Sequence, residues 1–577
     1  MIEIVILLVT AVALAWPLGH YLAHVLRGGP SPLDRLLGPI ERPIYLALRV
    51  DPSRGMVWQG YARAFIGTNL ALGAAVMAIL MLQHHLPLNP DGMAGLNWDL
   101  ALHTMVSFLT NTNQQHYSGQ AQLSYLSQLA GLVTLQVLTP MMGLGVAAAV
   151  LRALVGGRNA ATAAEGEPRD VGNYYADVVR LSTRVFVPLC MVLGLALASQ
   201  GVPSSLDGAA RATPIDASAG MTEQVIPRGP VAPMVAAKQL GTNGGGWYGP
   251  NSAVPLENPT PLSNALQAIA ILLLPIAVVF MAGPLIGRPR FSALVFGVMA
   301  TFSIALVALS VWSERQPNAA AAGLAAVGPN LEGKEVRFGA DASALWATIT
   351  TQTSNGSVNA MHDSLNPGGG IATLAGMLVN TTWGGVGCGL VGFVTFLLLT
   401  VFLAGLMIGR TPEIFGRKLE VREVRLLSLL VVLQPLVVLG LTAIAVSVPA
   451  WTGNSNPGFH GFTQVFYEYT SAFANNGSGF EGLGDATVWW NLSCVLALLL
   501  GRYLPLLLPL AVAASLASKR VAPAGTGTLK IESLTFGATL VAVVLLVALL
   551  SWLPTLVLGP IGEWLELAAP VTPGSPA

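Results

Sequence analysis

The sequence predicts an all-α polytopic membrane protein: ten transmembrane helices, with four span, pore-loop, span repeats around one pore. Three observations carry that prediction. Of the 577 residues, 53% are hydrophobic and only 10% are charged, whereas soluble domains carry about 25% charged residues. A bilayer crossing takes about 20 apolar residues, and such runs lie near 3–25, 63–83, 122–152, 177–199, 262–286, 291–313, 370–408, 425–449, 486–517 and 532–556. Between them recur four short polar segments: Thr112-Asn113-Gln114-Gln115, Thr242-Asn243-Gly244-Gly245, Ser354-Asn355-Gly356-Ser357 and Asn475-Asn476-Gly477-Ser478.

Aligned on their second residue, these segments read small or polar, Asn, Gly or Gln, then small or polar. Their Asn residues stand roughly 110–130 positions apart, a period too long for a solenoid. A dehydrated cation needs oxygens to replace its water, and backbone carbonyls from four loops can supply them, as in potassium channels. Non-helical backbone at membrane depth persists only where protein or a water-filled cavity surrounds it. Gly lets successive carbonyls turn the same way. Asn-Gly is also an ordinary turn signal, but four copies in the same place relative to the apolar runs favour a filter.

Each loop follows an apolar half-helix too short to cross: Asp99 to Leu109, Val231 to Leu240, Ala342 to Thr351, and Phe462 to Phe473. A re-entrant helix points its partly negative C-terminal end at the loop that follows, which favours a cation there. The segments expected are a first span at 1–27, repeats at 56–160, 173–288, 289–410 and 424–518, and a last span at 528–558.

Arg and Lys set the orientation. Arg27, Arg35, Arg42, Arg49 and Arg54 occupy the first connection. Arg152, Arg158, Arg169 and Arg180 follow two spans later, then Arg288 and Arg290, then Arg410, Arg417, Lys418 and Arg422, then Lys519, Arg520 and Lys530. These alternate connections are expected on the cytoplasmic side. The others hold few basic residues, among them Arg211, Lys238, Lys334 and Arg337, and carry all four filter-like loops. Both termini are then extracytoplasmic. The chain opens Met1-Ile2-Glu3 without the basic stretch of a signal peptide, so the first run reads as a retained span.

Other chemistries find little support. Net charge is zero, which gives nucleic acid no purchase. Cys190, Cys388 and Cys494 have no ligand spacing and read as packing residues. Gly328 to Lys334 fits part of a phosphate-binding loop, but Glu335 stands where Ser or Thr would hold magnesium. The eight His residues form no metalloprotease spacing.

The chain resembles the KdpA family, the potassium-binding subunits of bacterial Kdp potassium-transporting P-type ATPases. The resemblance covers nearly the whole length. It is carried by Thr110-Asn111-Thr112-Asn113 with Tyr117-Ser118-Gly119, by Gly241 to Gly246, and by Glu332 to Gly339. Gly384-Gly385-Val386-Gly387, Gly409-Arg410-Thr411-Pro412-Glu413 and Ala474 to Phe480 complete it. It implies a channel-like subunit that binds potassium outside and passes it inward. It also implies an ATP-hydrolysing partner (KdpB), two small subunits (KdpC and KdpF), and a place in the bacterial inner membrane. No nucleotide is expected on this chain. A stand-alone channel or symporter with the same four-loop pore is the alternative reading.

The candidate potassium-binding residues are Asn111, Thr112, Asn113 and Gln115 in the first loop and Thr242, Asn243, Gly244 and Gly245 in the second. Ser354, Asn355, Gly356 and Ser357 supply the third, and Asn475, Asn476, Gly477 and Ser478 the fourth. The first loop has Gln114-Gln115 where the others carry Gly after Asn. Gln115 is expected either to face the ion or to bond the neighbouring loop. Asn380, Gly384 and Gly385 interrupt the overlong run at 370–408, as a gate, a sideways exit, or close helix packing. The resemblance favours the first two, and implies an acid four positions before Gly384 where this chain has Asn380. Arg502 is a lone charge near the middle of its span, a costly position that points to a cavity or partner. The mixed-charge loop from Gly409 to Arg425 suits docking to the ATPase partner.

Overall fold

The computed structural model describes residues 2–568 other than 30–33, 161–166, 217, 219, 319, 321–326 and 524–528. Residues 1 and 528, where the first and last expected segments open, lie outside the described residues. The helices are α1 (Ile2–Arg27), α2 (Asp34–Leu48), α3 (Trp58–His85), α4 (Trp98–Leu109), α5 (Ser127–Leu154), α6 (Tyr174–Ser199), α7 (Val231–Leu240), α8 (Pro261–Ile286) and α9 (Pro289–Glu314). They continue as α10 (Gly339–Gln352), α11 (Pro367–Val379), α12 (Cys388–Met407), α13 (Val421–Ser447), α14 (Gly458–Phe473), α15 (Val488–Ala517), α16 (Leu534–Leu558) and α17 (Pro560–Ala568). Ten are long and apolar enough to span: α1, α3, α5, α6, α8, α9, α12, α13, α15 and α16.

Burial sorts these spans by position. In α5, 89% of the most apolar window is buried, and in α8 72%, against 22% for α1 and α16. The second spans of the first two repeats therefore stand in the middle, and the first and last spans lie on the outside. Local sequence sets the helix ends. Thr260 and Ser263 form a reciprocal capping box at the start of α8, with Pro261 at its first turn. Gly287 closes the same helix in the left-handed region at φ +72°.

The four half-helices α4, α7, α10 and α14 each sit between two spans and end at a polar loop. All four loops follow an even-numbered span, so they share one side of the membrane. The run at 370–408 is not one helix. It breaks after Val379 and resumes at Cys388, with Asn380, Trp383, Gly384 and Gly387 all at positive φ.

Buried ion pairs tie the polar connections to the spans. Arg152 donates to both carboxylate oxygens of Asp177 at 2.7 and 3.0 Å. Lys334, taken from sequence as a loop charge, is buried against Glu314 at 2.8 Å, and Asn330 donates to the same carboxylate at 3.0 Å. The loop from Gly409 to Arg425 contains a small antiparallel hairpin pairing Glu413–Ile414 with Arg417–Lys418. Arg417 is only 6% exposed, and its Nη1 reaches the Leu154 carbonyl at 3.4 Å. It is an internal strut and not a free docking charge, because the hairpin folds back onto the end of α5. Lys418 beside it is exposed. We therefore expect Arg417→Glu to lower the melting temperature of the isolated chain. Lys418→Glu should leave it unchanged, and thermal unfolding in detergent measures both.

Candidate functional site

The four loops share one backbone plan. The amide N–H groups of Thr112, Asn243, Asn355 and Asn476 each donate to the carbonyl five residues back, on Ser107, Lys238, Thr350 and Ser471, at 2.9–3.1 Å. The residue before each is left-handed: Asn111, Thr242, Ser354 and Asn475 have φ between +47° and +62°. For a β-branched residue such as Thr242 that is a strained conformation, of the kind that clusters at functional sites. The residue after each is left-handed again: Asn113, Gly244, Gly356 and Gly477.

This geometry corrects the sequence alignment of the first loop by one position. Thr112, not Asn113, is the counterpart of Asn243, Asn355 and Asn476. Asn113 stands where the other loops have Gly, at φ +56°. Asn tolerates the left-handed region better than most residues, so the first loop can follow the same path without a Gly.

The loops close on one another through contacts that admit no side chain. A Cβ on Gly244 would collide with the Asn355 carbonyl, one on Gly356 with the Asn476 carbonyl, and one on Gly477 with the Thr112 carbonyl. At the remaining junction, a Cβ on Gly245 would meet that of Asn113 at 2.6 Å. The ring is thus continuous from the second loop through the third and fourth to the first and back.

Side chains then fix the loops. Asn355 Nδ2 donates to the Lys238 carbonyl at 3.1 Å, and Asn476 Nδ2 to the Thr350 carbonyl at 2.9 Å. Asn111 donates to the carbonyls of Gly241 and Thr242, both at 3.2 Å. Ser357 Oγ donates to Gln239 at 2.9 Å, and Ser478 Oγ is 2.9 Å from the Tyr467 hydroxyl. Gln115 takes the second of its two expected roles. Its amide donates to the Gly246 carbonyl at 3.0 Å and accepts the Gly246 N–H at 2.8 Å.

The backbone carbonyls divide into two kinds. Gly244 accepts from Asn251 Nδ2 at 2.7 Å and Gly245 from Gln136 Nε2 at 2.9 Å. The Asn243 carbonyl accepts the Gly245 N–H at 2.8 Å. Thr112, Asn355 and Asn476 are fully buried. Among the described residues no hydrogen bond reaches their carbonyls. Buried carbonyls without a partner are uncommon in folded proteins, and here they sit at equivalent points of adjoining loops.

Below the ring is a cavity of about 100 Å³. Asn111, Ser354 and Asn475 line its top, with Asn380, Gly385 and Arg502 around it, and it extends toward Thr395, Leu430 and Gln434. The broken run forms part of its wall. Ser354 Oγ donates to Asn380 Oδ1 at 3.1 Å, and Val386 N–H donates to Thr242 Oγ1 at 3.1 Å. Gly384 N–H donates to the Gln352 carbonyl at 2.7 Å. A Cβ on Gly387 would meet the Gly143 backbone on α5. Arg502 is 2% exposed. Its guanidinium donates to the Thr139 carbonyl at 3.2 Å and contacts Cys388 Sγ. No carboxylate among the described residues lies within ion-pair reach of it. On the other side of the ring a vestibule of about 850 Å³ opens, lined among others by Glu468, Glu481 and Asp485. Partial burial raises the Asp485 carboxyl above its ordinary value, against the pull of His116.

Several supports were not singled out from sequence. Gln136 bonds Asn113 and Gly245, and Thr139 Oγ1 donates to Asn111 Oδ1 at 2.8 Å. Two polar side chains inside the run at 122–152 were the available signal. Lys238, counted from sequence among the few basic residues of the outer connections, lies on the half-helix α7, fully buried, and contacts Glu257 and Asn251. Its backbone carbonyl receives Asn243, Gly244 and Asn355.

A ring of four re-entrant loops, each at the C-terminal end of a half-helix between two spans, defines the pore-loop class of membrane transport proteins. Residues 5–565 match the family model described as KdpA, potassium-transporting ATPase A subunit, and the chain belongs to that family. A relative from Gloeobacter violaceus, named potassium-transporting ATPase potassium-binding subunit, is 45% identical over 573 residues, 98% of each chain. A relative of the same name from Pseudomonas aeruginosa is 45% identical over 553 residues, 95% of this chain and 96% of its own. The potassium transporter TrkH from Vibrio parahaemolyticus superposes with a TM-score of 0.51 at 14% identity, over 86% of this chain and 96% of its own, which shows a shared fold.

Removing one member of a buried ion pair strands the other, at a cost of about 3–5 kcal/mol. Lys238→Met should therefore lower the melting temperature sharply. The double variant Lys238→Met, Glu257→Gln should recover most of the loss, read by thermal unfolding.

Proposed function

We propose that this chain binds potassium in the loop ring on the extracytoplasmic side and passes it inward as the channel-like subunit of an ATP-driven uptake pump. The observation that carries the reading is the set of buried, unbonded carbonyls on Thr112, Asn355 and Asn476. An ion at the ring would give these oxygens the partner the protein does not. The four half-helix ends add negative potential at the same place, and the acidic vestibule raises the local cation concentration before dehydration. Asn113, Gly356 and Gly477 continue the ion-facing backbone. Gly244 and Gly245, whose carbonyls are held by Asn251 and Gln136, shape their quadrant and stiffen it.

From the ring the ion enters the cavity beneath. Its way straight on is opposed by the unpaired charge of Arg502. Asn380, Gly384 and Gly385 make the wall a loop instead of a helix, and the cavity leads sideways between α12 and α13. We assign that sideways route to the interface with the ATP-hydrolysing partner, KdpB, with KdpC and KdpF completing the assembly. The arginine-rich connections lie in the cytoplasm, so both termini lie outside, in a bacterial inner membrane. The names borne by the full-length relatives favour this pump reading over a stand-alone channel.

Gly356→Ala tests the ring. It would push against the Asn476 carbonyl, so the ratio of potassium to rubidium concentrations that half-stimulate ATP hydrolysis by the assembled complex should move at least threefold. A plain turn would show only about 1 kcal/mol of destabilisation, and an unchanged ratio at normal assembly would remove this loop from the filter. Arg502→Ala tests the barrier: passive potassium flux through the complex in vesicles should rise at least tenfold. Wild-type flux would contradict the assignment.

A further inference from the structure

Behind the first and fourth loops lies a group of side chains that the potassium path does not use. His116 follows the first loop, Glu468 stands on α14, and Cys494 stands on the second turn of α15. One potential ligand atom from each lies within 4.8 Å of the other two. His116 Nε2 is 3.4 Å from Glu468 Oε1 and 3.9 Å from Asp485 Oδ2. His116, Glu468 and Cys494 are all buried, whereas Asp485 is about one-third exposed.

The imidazole is already set in the orientation a metal requires. Asn491 Nδ2 donates to Asp99 Oδ2 at 2.8 Å, which turns Asn491 Oδ1 toward the ring. His116 Nδ1 donates to that oxygen at 2.8 Å. Nδ1 therefore carries a proton, which leaves Nε2, facing Glu468 and Asp485, as the nitrogen that can ligate. Metal-bound histidines are held by this kind of outer hydrogen bond. His103 stacks on the His116 ring at 3.8 Å between centroids and bonds Gln114 at 3.3 Å, which adds to its support. Access is present too, since His116, Glu468 and Asp485 all line the outer vestibule.

We propose that His116, Glu468 and Cys494, with Asp485 as a fourth ligand, form a binding site for a thiophilic divalent cation of the zinc class, reached from the outer vestibule. Tetrahedral zinc with bonds of about 2.0–2.3 Å sets its ligand atoms about 3.3–3.8 Å apart. The His116 to Glu468 spacing already fits, and the thiol has to close by at most about an ångström. Potassium would not compete, because thiolate and imidazole select softer ions. Binding displaces the thiol proton, and the proton that the facing carboxylates favour on His116 Nε2, to water, so affinity rises with pH. Sequence spacing could not reveal the group, because its members come from the first and fourth repeats, 352 and 378 positions from His116.

The site touches the filter. Gln114 Nε2 donates to Glu468 Oε1, and the Gln114 carbonyl accepts from Ser107 Oγ at 2.9 Å. A metal that takes Glu468 Oε1 releases Gln114. If the ring conducts potassium as proposed above, the metal inhibits transport.

The test uses the purified, assembled complex. Cobalt(II) titration should give a near-ultraviolet thiolate-to-metal absorption band, lost in Cys494→Ala. Zinc retained after gel filtration should fall by one equivalent in that variant. His116→Asn should weaken cobalt binding at least tenfold, and Asp485→Asn should weaken it less. Equal binding by wild type, Cys494→Ala and His116→Asn would overturn the site, whatever the transport activity. If Cys494→Ala fails to assemble, the comparison with His116→Asn decides. Zinc inhibition of potassium-stimulated ATP hydrolysis should require at least tenfold more zinc in His116→Asn. Binding without that shift would keep the site and remove its link to the filter.

Discussion

The pore rests on a contact too close for any side chain. Three glycines, Gly244, Gly356 and Gly477, lie against the carbonyls of Asn355, Asn476 and Thr112 in the adjoining loops. That approach needs a left-handed residue at each point, and the residue two positions earlier must be left-handed as well. Five of these eight left-handed positions are not Gly, and their strain is offset by the N–H to carbonyl bonds that anchor every loop to its own half-helix. Once the loops are pressed together, the amides of Asn111, Asn355 and Asn476 can reach the neighbouring backbone.

Around that ring the protein spends its buried polar groups on rigidity. Lys238 with Glu257, Gln136 with Asn113, and Gln115 with Gly246 hold the first and second loops. The asymmetry has a simple origin. Asn113 carries a side chain where the other loops have none, so the junction of the first and second loops cannot close backbone to backbone and is bridged by amides. Below the ring, the break between Val379 and Cys388 exists because Asn380, Gly384 and Gly387 allow turns no continuous helix would permit. The loop at that break forms part of the cavity wall, and Arg502, with no carboxylate within ion-pair reach among the described residues, lines the same cavity.

Much of this was legible in the sequence. Apolar runs of membrane-spanning length located every span, and the half-helices were recognisable because they were too short to cross. The polar interruption at Asn380 to Gly387 was visible inside a run too long for one helix. The register of the first loop was not, because an Asn at a left-handed position looks like the Asn of the neighbouring column, and only backbone angles separate them. The burial of Lys238 and Lys334 was not legible, because an ion pair across 19 or 20 residues leaves no local pattern. The role of Arg417 was hidden for the same reason: its contact lies on α5, far away in the chain.

The proposed ion site places the transported potassium against the carbonyls of Thr112, Asn355 and Asn476. Thallium(I) substitutes for potassium and scatters anomalously, so crystals of the assembled complex grown in thallium acetate in place of potassium test it directly. An anomalous peak on the ring axis, in direct contact with those three oxygens, is the result expected. A thallium peak confined to the vestibule or to the cavity beside Arg502, with those carbonyls left unbonded, would contradict it.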